Sequence, residues 1–252
     1  VYDANNINPL YGFFVARAGL GASESMRSKL AEYNDPRLSR AFITKQGASG
    51  KEQAPGTADN AVYAPNGSPE QGTSKYGTSL FMYSISAPTL LLSYHELKFL
   101  EAEALCRLGR DAKSALKDAV VAGLLNAESS FSLSRKELGK DLINPAASIT
   151  EAEAESYFDN TVEAKYTAEP LKTTMTQKYF ALWGASGEAT ESYNDVRRMK
   201  GLGENFIELK NPNSFPLRCP YGNSDTTTNA EVKAAYGNGQ YVYSENVWWA
   251  GG

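Results

Sequence analysis

The chain has 252 residues, 42% apolar and 21% charged, enough material to bury a core in one large domain or two small ones. A net charge of −4 argues against a nucleic-acid partner, which would demand a basic stripe. No apolar run approaches the length of a bilayer span. The opening VYDANNINPLYGFF has no initiating Met, basic leader or cleavage site, so the expectation is a fragment or a processed chain.

In chain order, Ser23 is the expected N-cap of a helix over residues 22–33, with Met26, Leu30 and Tyr33 at three- and four-residue spacing. Asn34-Asp-Pro-Arg-Leu38 reads as a turn. Residues 46–86 read as a long loop, dominated up to residue 79 by Gly, Ser, Pro, Asn and Thr. Loops of that length are functional or disordered. Residues 87–125 read as two antiparallel helices broken at Leu108-Gly109-Arg110. Residues 150–200 read as a helical block, with a capping box at Thr150 and Glu153 and Pro170 in the first turn of a further helix. Trp183-Gly-Ala-Ser-Gly187 interrupts that block. Residues 201–252 read as irregular apart from a short helix near 230–236. The expected class is mainly α with long loops and little β. Within the hairpin, Ala102, Ala104, Ala112, Ala115 and Ala119 permit close helix approach around a Leu-Gly turn, a tetratricopeptide-like (TPR-like) pattern.

The stretch SYHELKFLEAEALCRLGR (93–110) holds the only histidine and invites a metal or acid–base reading. A zinc-binding HExxH helix needs a second His four residues on, where this chain has Phe99. Glu96 and Glu103 lie about 20° apart on one ridge, Glu101 points elsewhere, and Arg107 is placed to pair with Glu103. His95 shares a stripe with Phe99, Ala102 and Cys106. A second arc carries Tyr94, Leu97, Ala104, Leu105 and Leu108, so this helix is expected to be sandwiched between neighbours. Asp195, Arg197 and Arg198 fit either a carboxylate clamp or helix-surface ion pairing, the commoner case. No phosphate cradle, catalytic set, metal site or cofactor motif is read. Cys106 and Cys219 read as thiols rather than a disulfide.

Three stretches carry a family likeness. APTLLLSYHELKFLEAEALCR (87–107) resembles the TPR-like helix of the SusD/RagB outer-membrane nutrient-binding lipoproteins. QKYFALWGASGEATESYNDVRRMKG (177–201) and FPLRCPYGNSDTTTNAEVKAA (215–235) are similar to that family's later motifs, in the same order. Asn8-Pro-Leu-Tyr11, the 34–38 turn and Val247-Trp-Trp249 add weaker support. The likeness covers the family's C-terminal half. His95, Thr190, Glu191, Leu217, Cys219 and Gly222 depart from the usual pattern.

The resemblance implies a non-enzymatic, cell-surface protein of the outer membrane, reached by the membrane only through a lipid anchor upstream of this chain. It implies delivery of an oligosaccharide, or a peptide, to a SusC-type TonB-dependent transporter. It also implies that helices form the scaffold while loops hold the ligand. In the 46–86 segment and its edge, Tyr63, Tyr76, Phe81 and Tyr83 are candidates to stack on sugar faces. Asn60, Asn66 and Gln71 are candidates to bond hydroxyls. The alternative role for each aromatic is to anchor the loop on the helices, and Trp248 and Trp249 are expected to anchor the C-terminus. The alternative function is a TPR-type protein-interaction scaffold without a small ligand.

Overall fold

Capping side chains set the helix starts. In the computed structural model, which describes residues 5–17, 21–46, 52–55, 63–66, 76–142, 145–210 and 214–248, Asn8 opens α1 (Pro9–Arg17) by accepting the Leu10 N–H at 2.9 Å. Ser23 opens α2 (Glu24–Glu32) by accepting from Met26 N at 3.3 Å. The Asp-Pro-Arg turn that follows is pinned from inside. The Asp35 carboxylate accepts from Arg37 N and from both arms of its guanidinium at 2.6–2.9 Å, and both side chains are buried.

After α3 (Leu38–Ala41) comes β1 (Phe42–Gln46), the centre of a small antiparallel sheet with β2 (Glu52–Pro55) and β3 (Thr78–Ser79), in the order β2-β1-β3. Thr44 faces Ala54 and Ile43 faces Thr78. The segment expected to be all loop is therefore gathered at its base into a sheet. Composition alone hid the pairing of Ile43 with a residue so far along the chain.

Ser93 caps α4 (Tyr94–Arg107), accepting from Glu96 N at 3.1 Å. Gly109 ends it at φ +66°, a left-handed turn that side-chain-bearing residues resist. Its N–H reaches Cys106 O and that of Arg110 reaches Leu105 O, the paired bonds of a Schellman motif. The partner helix α5 (Lys113–Leu138) runs well beyond the expected end at residue 125, because Leu124, Ala127, Phe131 and Ser134 continue its buried stripe. Of the five alanines, Ala102, Ala112, Ala115 and Ala119 are buried, whereas Ala104 faces outward.

Thr150 caps α6 (Glu151–Tyr157) through Glu153 N at 3.2 Å. The Glu153 carboxylate, however, pairs with Arg40 at 2.9 Å instead of completing the capping box. A π-helical turn, Phe158–Val162, links α6 to α7 (Glu163–Ala168). Pro170 then begins α8 (Pro170–Ala181), and a 3-10 turn at Ser186–Glu188 leads into α9 (Ala189–Gly201). The main core joins α4 and α5 through Phe99, Leu116, Val120, Leu124 and Phe131, and reaches Phe158 and Val162.

The chain divides into two compact units, Val1–Leu209 and Lys210–Gly252. The second holds α10 (Asn223–Thr228), α11 (Ala230–Tyr236) and α12 (Tyr241–Ser244), more helix than expected there. Its centre is a group of three rings, Tyr221, Tyr236 and Tyr241, at centroid distances of 4.6–5.7 Å. Arg218 lies over two of these rings. Trp248, expected as an anchor, is 80% exposed, and Trp249 lies outside the described residues. No described helix is long and apolar enough to cross a membrane.

Candidate functional site

Two regions are candidates: the segment around the small sheet, and a groove beside α4. In the first, a chain of rings joins the sheet to the helical core. Tyr63 meets Phe42 edge-on at 5.1 Å, Phe42 lies 5.3 Å from Trp183, and Trp183 lies 5.1 Å from Phe81. Phe81 in turn lies 4.7 Å from Phe131 on α5. Trp183 is the hub, flanked by Gly184 at φ +78°. A Cβ on Gly184 would sit 2.4 Å from the Phe81 ring, so only glycine fits there.

Each residue expected in the ligand site finds a distinct place. Tyr63 is half-buried, with the Arg27 guanidinium over its ring at 5.7 Å. Asn66 accepts from Ser23 Oγ at 3.0 Å and Ser25 N at 3.3 Å, which ties it to the start of α2. Tyr76 and Phe81 are core residues, 7% and 4% exposed, with no ring face open to a ligand. Tyr83 is half-buried against Phe14 at 5.1 Å, and burial pushes its phenol up to about 12. Asn60 and Gln71 lie outside the described residues. Tyr63 is thus joined to Phe81 through Phe42 and Trp183, while Tyr83 packs on a different neighbour. Sequence reasoning missed Trp183 and Phe42, although the motif around residue 183 offered a signal.

The second region is an open groove of about 560 Å³ between α4, α8 and α9. Charged side chains form its floor. Glu103 accepts both arms of the Arg198 guanidinium and also the Arg107 Nε at 2.7 Å. Arg107 forks onto Glu204 at 2.8 and 2.9 Å. Asp195 holds Lys178 at 2.8 Å and Arg198 at 2.8 Å. Burial pushes the Glu103 carboxyl up, but hydrogen bonds from Arg198 and then Arg107 outweigh it and hold it below the usual range. Asp195 and Arg198 are therefore partners of each other and of the scaffold, the ion-pairing alternative read from the sequence. Arg197 instead lies over the Tyr193 ring at 5.6 Å.

His95, on the buried side of α4, has its Nε2 3.5 Å from Glu188. Burial lowers its pKa, Glu188 opposes that, and Arg37 adds to it, so the imidazole is neutral near pH 7. Glu96, one position on, is pushed up to about 7, first by burial and then by the neighbouring Glu188 carboxylate. Glu101 turns outward to Lys98 at 3.0 Å. The three glutamates do not converge. Among the described residues, no three His, Cys, Asp or Glu side chains come together where a metal ion could be held.

The fold has solved counterparts. A SusD/RagB family protein from Bacteroides thetaiotaomicron matches all of this chain and 54% of its own, at 65% identity and TM-score 0.89. A SusD homologue from Bacteroides fragilis matches 98% of this chain and 55% of its own, at 20% identity and TM-score 0.62. A Bacteroides vulgatus protein described as a putative outer membrane protein, probably involved in nutrient binding, matches 89% and 50%, at 22% identity and TM-score 0.55. At those two lower identities the likeness is one of fold alone. The chain spans about half the length of these relatives. No curated protein matches it. The model of a SusD-like family described as starch-binding and associating with the outer membrane matches residues 2–221, which take in α1 to α9. With that match and the 65% identical relative, the chain belongs to the SusD-like family.

Proposed function

We propose that this chain is the nutrient-binding part of a cell-surface protein that takes an oligosaccharide and passes it to a SusC-type TonB-dependent transporter in the outer membrane. The observation that carries this reading is the family match over residues 2–221. The chemistry of the groove agrees with binding rather than turnover. Glu103 and Asp195 are occupied by Arg107, Arg198 and Lys178, which makes them parts of the scaffold.

The ligand site is assigned to the 46–86 segment, at the corner where Tyr63 and Asn66 meet α2. Tyr63 is held by Phe42 and Arg27 yet keeps part of its surface in solvent, as a ring that stacks on a sugar must. Tyr76, Phe81 and Tyr83 form the base that fixes the segment, and Asn60 and Gln71 belong to the same stretch.

Titration calorimetry with malto-oligosaccharides tests the assignment. Saturable binding with the sugar recovered unchanged is expected, and Tyr63→Ala should weaken it about tenfold, or about 1.4 kcal/mol. Unchanged affinity in that variant removes the corner from the site. Binding to a transporter with no affinity for any sugar or peptide would favour the protein-interaction scaffold instead.

A further inference from the structure

The corner where residues 63–66 meet α2 presents hydrogen-bond donors. Its backbone is pinned: the Ala64 N–H donates to Ala22 O at 2.8 Å, and the Glu24 N–H donates to Ala64 O at 3.1 Å. Tyr63 and Asn66, on either side of Ala64, are thereby held against the start of the helix. The Asn66 carboxamide oxygen is spent, since it accepts from Ser23 Oγ and Ser25 N. What remains of that side chain is its NH2 group, which only donates. Ser23 and Arg27 stand four residues apart on one ridge of α2, which brings Arg27 to the Asn66 side of the helix. The Arg27 guanidinium lies over the Tyr63 ring at 5.7 Å, and the Tyr63 hydroxyl is itself buried. A guanidinium carries five N–H donors and no acceptor. Arg37, Arg40, Arg107, Arg135 and Arg198 each grip a carboxylate. Among the described residues no carboxylate pairs with Arg27, Glu24 on the neighbouring ridge included, and the Arg27 Nε is buried without an acceptor. Buried N–H groups left in that state are uncommon and costly.

We propose that the oligosaccharide taken at this corner is an acidic one, a chain bearing uronic acid residues. A carboxylate lies on Arg27 and the Asn66 NH2 group while the sugar ring lies beside Tyr63. The inference rests on the assignment of the ligand site to this corner. A hydroxyl is fully satisfied only when it gives a hydrogen bond as well as taking one, whereas a carboxylate only accepts. A corner made of donors therefore discriminates in favour of the carboxylate. The planar guanidinium also matches its two oxygens, which no single hydroxyl offers. A neutral sugar keeps the Tyr63 contact and loses the charged one.

Titration calorimetry compares malto-oligosaccharides with the same chains oxidised at C6 to glucuronates, a pair that differs only in the carboxylate. The oxidised chains should bind about tenfold more tightly at low salt, and that ratio should shrink as salt is raised. Arg27→Gln should bring the ratio to about one, whatever it does to the neutral chains. Arg27→Lys, which keeps the charge and loses the fork, should retain part of it. Equal affinity of the wild type for both forms overturns the proposal and leaves Tyr63 as a platform for neutral sugar. An undiminished ratio in Arg27→Gln overturns it as well, since Arg27 would then only prop the Tyr63 ring. Should that variant bind too weakly to read, the wild type decides, and a ratio indifferent to salt overturns the proposal. Binding of neither sugar, or of an acidic peptide alone, removes the corner from the site and takes this inference with it.

Discussion

The contact of α4 with α5 and the contact of α4 with α8 and α9 share one helix but are held by opposite chemistry. Toward α5 the seam is dry. Phe99 and Ala102 meet Leu116, Ala119 and Val120, all buried and all without a polar side-chain atom. Toward α8 and α9 the seam is charged, with Glu103, Lys178, Asp195 and Arg198 interlocked over His95, Glu96 and Glu188. The dry seam gains from area and close packing, which tolerate small shifts. The charged seam gains little net energy after desolvation. Its guanidinium forks, however, fit their carboxylates in one register only. The first supplies stability and the second fixes where α9 lies along α4.

That division is broken most severely on the dry side. Phe99 is fully buried between α4, α5 and α8. Phe99→Ala should cost about 3–5 kcal/mol, because the lost ring leaves a cavity that three helices cannot close. Urea unfolding followed by circular dichroism measures it. A loss below 1 kcal/mol would mean that the core can collapse and that the dry seam is not the main source of stability.

On the charged side, Glu103 is the acceptor shared by Arg107 and Arg198. Glu103→Gln should cost about 1–3 kcal/mol, less than Phe99→Ala, because Arg107 keeps Glu204 and Arg198 keeps Asp195. Greater amide exchange in α9 than in α5 would mark the effect as loss of register. Uniform exchange across both helices would make the seam an ordinary source of stability, and the contrast would fall.

How much of this was legible follows from the reach of each interaction. The ridge of Glu96 and Glu103, the pairing of Glu103 with Arg107 and the outward turn of Glu101 are relations within one or two helical turns, so spacing alone gave them. Ser23, Thr150, Pro170 and the Gly109 turn are local as well, and they stand where expected. Arg198 on Glu103 and Glu188 beside His95 are contacts across more than ninety residues, which no periodicity encodes. The sheet was hidden for the same reason, since β3 is two residues long and pairs across the whole polar segment. The second apolar arc of α4 was legible as an arc. Its neighbour was expected, yet no described residue covers it. At the candidate ligand site, residue type suggested aromatics, but only packing separated the buried Tyr76 and Phe81 from the half-exposed Tyr63.

The last effect expected on the charged seam has the opposite sign and depends on pH. Glu96 has an ordinary carboxyl pKa of 4.5 when the chain is unfolded and one near 7 when folded, because burial and then Glu188 disfavour its charge. The folded protein therefore holds a proton between these values that the unfolded chain has released. The contribution is intact below 4.5 and is lost as pH rises through 7. His95 works the other way: burial lowers its pKa from 6.5, so below that value the unfolded chain binds the extra proton and stability rises with pH. The two slopes oppose each other up to about 6.5, and above it the Glu96 slope stands alone. Lys178, which faces the cluster from α8, pulls the Glu96 carboxyl down more weakly than burial and Glu188 push it up, and Arg37, from the turn before α3, stays charged and adds no slope there. Glu96→Gln removes the titrating group while keeping the shape. The variant should match the wild type near pH 4 and become the more stable of the two between pH 6.5 and 8. Parallel stability curves over that range would show that Glu96 shares its site with no second carboxylate in solution. The charged seam would then rest on Glu103, Asp195 and their cations alone.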